Sequence, residues 1–100
     1  MKAENKGLTE ALLSQEQLTG TELSLKDGER YFRDLTEAFL FQSKALNIEM
    51  NENQAREMAL HIIAKVDISN PVVGHKGFHW LAKLFTPIWE QNKREGKTGE

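Results

Sequence analysis

The residues with chemical potential crowd into one stretch of this 100-residue chain, Gly74 to Asn92 (GHKGFHWLAKLFTPIWEQN). It carries both tryptophans and two of the three histidines. His75 and His79 stand four apart, which on a helix sets two imidazoles on one face at metal-binding spacing. Zinc sites of that kind need three or four ligands. The neighbours here are Lys76, Lys83 and two glycines, with no obvious carboxylate, and His61 would have to come from another helix. No metal and no cofactor is therefore expected. The chain has no cysteine, which removes thiolate nucleophiles, disulfides and cysteine zinc sites.

Catalysis finds little footing. Gly74 and Gly77 do not make a phosphate-binding loop. The histidines lack an acid partner at a readable spacing, and a thin helical core leaves little room for a pocket of enzyme size. No catalytic residue is assigned, and the chain is expected not to be an enzyme.

Two binding chemistries remain. If the helix over this stretch is continuous, His75, Lys76, His79, Lys83, Glu90, Lys93 and Arg94 share one side, locally positive in a chain of net charge −2. With Trp80 and Trp89 on the flanks, such a ridge could touch phosphates and stack bases. It also suits a solvated helix face with amphipathic edge residues. The second chemistry is protein binding, in which tryptophan is a frequent anchor.

The elements that position these residues follow from periodicity and caps. Residues 1–24 are polar with scattered leucines and read as a flexible N-terminal arm. Thr9 could cap a short turn over Glu10–Ser14, with Leu8 and Leu13 at staple spacing. A first long helix is predicted from about Lys26 to Leu46, opened by Ser24 and Asp27, its start open to slippage to Glu29 because of Gly28. Tyr31, Phe32, Leu35, Ala38, Phe39 and Leu46 form its apolar face, with Asn47 as left-handed terminator. Asn51 and Gln54 make a capping box for a second helix running to about Val66, with Ala55, Met58, Ala59, Ile62, Ile63 and Val66 on one stripe. Asn70-Pro71 signals a turn or a single helical turn with Asn70 as cap, with Val72 and Val73 pinning the connection to the core. It is too long for a helix-turn-helix. A third helix spans Phe78 to about Arg94, with Phe78, Leu81, Leu84, Phe85 and Ile88 inward and a bend or restart at Thr86-Pro87.

The expectation is an all-α protein: a small three-helix bundle over residues 25–95, its third helix bent or broken, with a flexible arm over 1–24 and a disordered tail over 96–100. Nothing resembles a signal peptide or an apolar span, so a cytoplasmic protein without a membrane partner is expected. Leu40, Phe41 and Leu60 fall off the apolar faces of their helices. Together with His75, Lys76, His79, Trp80, Lys83 and Trp89 they form the expected surface for a protein partner, the chain acting as a regulator, adaptor or inhibitor. The alternatives are that the arm folds back over the apolar members, that the chain dimerises through them, or that Lys76, His79, Lys83 and Lys93 hold nucleic acid.

Overall fold

Ser24 and Asn51 start the two helices at the centre of the fold. The computed structural model describes residues 2–94, with side chains from Gly7 to Lys93. Its helices are α1 (Lys2–Thr19), α2 (Leu25–Ala45), α3 (Glu52–Lys65), α4 (Pro71–Lys76) and α5 (Phe78–Arg94). No strand occurs among the described residues, and none of their helices is long and apolar enough to cross a membrane. The chain is all-α, but it is not three helices behind an arm. The expected tail over 96–100 lies outside the described residues.

The centre follows its caps. Ser24 Oγ accepts from the Asp27 N–H at 3.1 Å. Gly28 does not shift the start of α2, because its own N–H bonds the Ser24 carbonyl at 2.9 Å. The far end closes on Asn47, whose φ is 62°. There the Asn47 N–H reaches the Lys44 carbonyl at 3.1 Å and the Ile48 N–H reaches that of Ser43 at 2.7 Å. This bond pair is a Schellman closure. Asn51 and Gln54 bond reciprocally at 2.8 and 2.9 Å to open α3. The capped helices pack together around Leu35, Ala38, Phe39, Ala55, Ala59, Ile62 and Ile63, all buried.

The largest correction lies at the N-terminus. Residues expected to be a flexible arm form the eighteen-residue α1, which packs against α3 and also meets α2. Thr9 sits inside this helix and not at its start, and Leu13 is exposed where a staple would need it inward. The inward side is Leu8, Ala11, Leu12 and Gln15, spaced three and four apart. Gln15 is only 2% exposed. Its Nε2 donates to the carbonyls of Ile63 and, at 2.6 Å, Val66. Its Oε1 accepts from the Ile68 N–H at 3.2 Å. One amide thus serves three backbone groups where α3 ends and leaves its carbonyls without helical partners. An isolated helix of this composition is marginal in water, so docking is what keeps α1 folded.

α1 and α2 meet where Gly28 faces Leu12. A Cβ on Gly28 would lie 2.6 and 2.8 Å from the two Leu12 methyls. The glycine that weakens α2 locally is therefore what admits α1 at this distance.

Past Ile68 the chain turns on Asn70, whose Oδ1 accepts from the Val72 N–H at 2.8 Å, with Pro71 in the first turn of α4. Val73 is buried, whereas Val72, expected to pin the connection, is exposed. Gly77, at φ 90°, separates α4 from α5. Phe78 then meets Tyr31 edge-on, with ring centroids 5.6 Å apart, while its neighbour His79 meets Phe41. Tyr31 and Phe41 are about 15 Å apart along α2, so α5 begins across α2 and not in an up-down arrangement. α5 continues through Pro87 as one helix. Thr86, expected as a restart cap, is interior to it, with its hydroxyl buried and unpartnered among the described residues.

Substitutions at Gln15 and Gly28, each with a control, test this packing. Gln15→Ala should cost about 3 kcal/mol in urea unfolding, because one buried and two part-buried backbone groups lose their partner. Gln17→Ala, on the exposed side of α1, should stay within about 0.5 kcal/mol of the parent. Gly28→Ala should destabilise by about 1 to 2 kcal/mol, reversing the gain that helix propensity alone would give. On a Leu12→Ala background the same change should cost less, and equal costs on both backgrounds would dismiss the close approach.

Candidate functional site

The orientation of α5 decides which aromatic residues can meet a partner. Its inward face is Phe78, Leu81, Ala82, Phe85, Thr86 and Trp89, at spacings of three and four; Leu81, Ala82 and Thr86 are fully buried and the others half-buried. Of the expected inward face, Phe78, Leu81 and Phe85 do turn inward, but Leu84 and Ile88 are 47% and 48% exposed. The helix is turned by about 60° from that expectation. Ala82 and Thr86 explain the difference: small residues at a helix contact let backbones approach, and ranking positions by bulk passes over them. The turn carries Trp89 inward, where it packs against the core with Lys93 Nζ 5.0 Å above its ring. It carries Trp80 outward, 36% exposed. Trp80, Leu84 and Ile88 then form an apolar ridge along the outside of α5, with exposed Pro87 beside it.

The other expected site residues are spread over the molecule. Leu60 does not lie open: α1 crosses over it, and a Cβ on Gly7 would be 3.3 Å from Leu60 Cδ1. Leu40 is half-buried against the core. Phe41 is 61% exposed and meets the His79 ring edge-on at 5.3 Å. Gln42 Nε2 lies 3.2 Å from His79 Nδ1. His75 and Lys76 are exposed on α4 and Lys83 is exposed on α5. Because Gly77 breaks the helix between them, His75 and His79 are not four apart on one face, and the expected basic ridge is not continuous. No group of three His, Asp or Glu side chains able to hold a metal ion occurs among the described residues.

Of the concavities that border these side chains, two are mainly apolar and involve Phe41 or Trp89. The larger, about 760 Å³, lies at the C-terminal end of α2 and is lined by Leu40, Phe41, Ile48 and Met50 with Ser43, Lys44, Asn47 and Glu49. The Schellman closure at Asn47 builds it, by turning Ile48 and Met50 back beside the last turns of the helix. It presents a broad apolar floor with one cation and one anion on its rim, and no cluster of nucleophile, base and oxyanion donors. The second, about 350 Å³, is a groove between α3 and α5 lined by Met58, Phe85, Ile88 and Trp89 with Glu57, His61 and Asn92. Sequence reasoning missed Ile48, Met50 and Glu49 in the first, although the Asn47 stop signal marked a sharp reversal beside Phe41.

The turned face of α5 has a direct check. Leu81→Ala should cost about 3 kcal/mol, whereas Leu84→Ala should stay within about 0.5 kcal/mol of the parent in chemical denaturation. Comparable losses at both positions would restore the face expected from bulk alone. Compared with known proteins, the chain finds no counterpart: no family model, no curated protein and no solved structure matches it.

Proposed function

We propose that this chain is a non-enzymatic helical protein that binds a partner protein, as a regulator, adaptor or inhibitor, in the recess at the end of α2. The observation that carries this is Phe41. It is the most exposed large apolar side chain among the described residues, and it stands over a recess of about 760 Å³ floored by Leu40, Ile48 and Met50. An aromatic ring held edge-on by His79 loses little freedom on binding, which is what an interface anchor requires. The recess is open and mainly apolar, with Lys44 and Glu49 at its rim. It suits an apolar side chain from a partner segment whose flanking residues carry both charges.

Nucleic-acid binding is the lesser alternative. Lys76, Lys83 and Lys93 are exposed, but Gly77 divides them between two helices and the whole chain is net negative. Sequence-independent nucleic-acid binding is chiefly an electrostatic effect of phosphate neutralisation.

Affinity capture from the source cell with the parent chain and with Phe41→Asp tests both. A specific protein should be retained by the parent and lost with Phe41→Asp, while the circular dichroism of the two remains the same. Retention by Phe41→Asp would remove the recess from the interface. Mixed-sequence single- and double-stranded DNA should not bind at low salt; salt-sensitive binding reduced by Lys83→Gln would favour the alternative.

A further inference from the structure

Phe41 belongs to α2, but the side chain that stands against its ring comes from α5. The first turn of α5 is seated on α2 at two places. Phe78 meets Tyr31 with ring centroids 5.6 Å apart, and the next residue, His79, meets Phe41 at 5.3 Å with the two rings at 90°. Tyr31 and Phe41 are about 15 Å apart along α2. The two contacts therefore reach in opposite directions along that helix and leave the turn little room to slide. His79 is held a second time, with Gln42 Nε2 at 3.2 Å from its Nδ1. An amide carries both a donor and an acceptor, so Gln42 can serve either tautomer of the ring.

An aromatic side chain on a helix has two open χ1 rotamers, because the third runs into the preceding turn. Phe41 is 61% exposed, so burial does not choose between them. The His79 ring does, by adding an edge-on attraction to one of the two. We propose that His79 and Gln42 are positioning residues for the recess, one acting through the other. Gln42 orients His79, and His79 holds Phe41 in the rotamer from which it serves as anchor. This rests on the recess being the interface, and adds that two helices set it. α2 supplies the recess, and α5 supplies the brace that orders its anchor before a partner arrives. A side chain already ordered in the free protein has less freedom to lose on binding. Neither brace residue lines the recess, so their effect passes through Phe41.

The first measurement uses the free full chain. Three-bond couplings from Phe41 Cγ to its own amide nitrogen and carbonyl carbon report the χ1 populations. The parent should hold one rotamer, and His79→Ala should average two, with unchanged helical circular dichroism. Gln42→Ala should loosen the ring in the parent and add nothing on the His79→Ala background. His79→Phe keeps an edge-on ring and should restore the parent couplings, whereas His79→Leu, which fills the space without a ring, should not. The second measurement titrates the protein that the parent chain retains from the source cell. His79→Ala should bind it roughly two- to tenfold more weakly, the saving that one pre-ordered side chain provides, and His79→Phe should bind near the parent affinity. A Phe41 ring that averages in the parent overturns the proposal, as do couplings indifferent to His79→Ala. So does an affinity that His79→Ala leaves unchanged although the ring has loosened. The two failures are distinct: a partner lost with Phe41→Asp but indifferent to His79→Ala removes the brace and keeps the recess, whereas a parent chain that retains no protein removes the recess and the brace with it.

Discussion

Gln15 holds the fold together at its least self-sufficient point. α3 ends without a glycine cap, on Val66 in an extended conformation, so its last carbonyls have no helical donors. α1 supplies a buried amide that satisfies two of them and also takes the Ile68 N–H. The residues joined are some fifty positions apart in sequence, so the contact ties the first helix to the end of the third across the fold. With it in place, Leu8 and Leu12 cover the α2–α3 core. Without it, those leucines would lie on a helix too weak to persist alone.

Most local structure was legible where a cap has its own chemistry. Ser24, Asn51 with Gln54, Asn47 and Asn70-Pro71 each act in the structure as their sequence contexts imply. The apolar stripe of α3 was also legible, because its polar residues fall clear of it. α1 was not, because its inward stripe includes a glutamine. Reading Gln15 as polar shortens the apolar pattern to a few leucines and makes the segment look like an arm. Its partners are carbonyls at the end of another helix, which no local signal reveals.

The candidate surface was legible only in part, for a different reason. α5 is apolar over much of its circumference, so the wheel fixes the centre of its inward face only loosely, and side-chain bulk draws it toward Leu84 and Ile88. The structure chooses the centre through Ala82 and Thr86, which take little volume and let the helix lie close to α2. That choice exchanges the two tryptophans: Trp89 joins the core and Trp80 becomes surface. Phe41 was visible as an outlier on α2. The recess beside it was not, because it depends on how the chain reverses after Asn47.

The meeting of Gly28 with Leu12 means that positions 12 and 28 divide a single volume between them. Room taken by one must be surrendered by the other, since Leu12 is itself buried. Sequence change at this junction is therefore permitted chiefly in pairs. A chain of this fold with a larger residue at position 28 should carry a smaller one at position 12. Those two positions, sixteen apart in sequence and on different helices, should drift together while the exposed residues between them change freely.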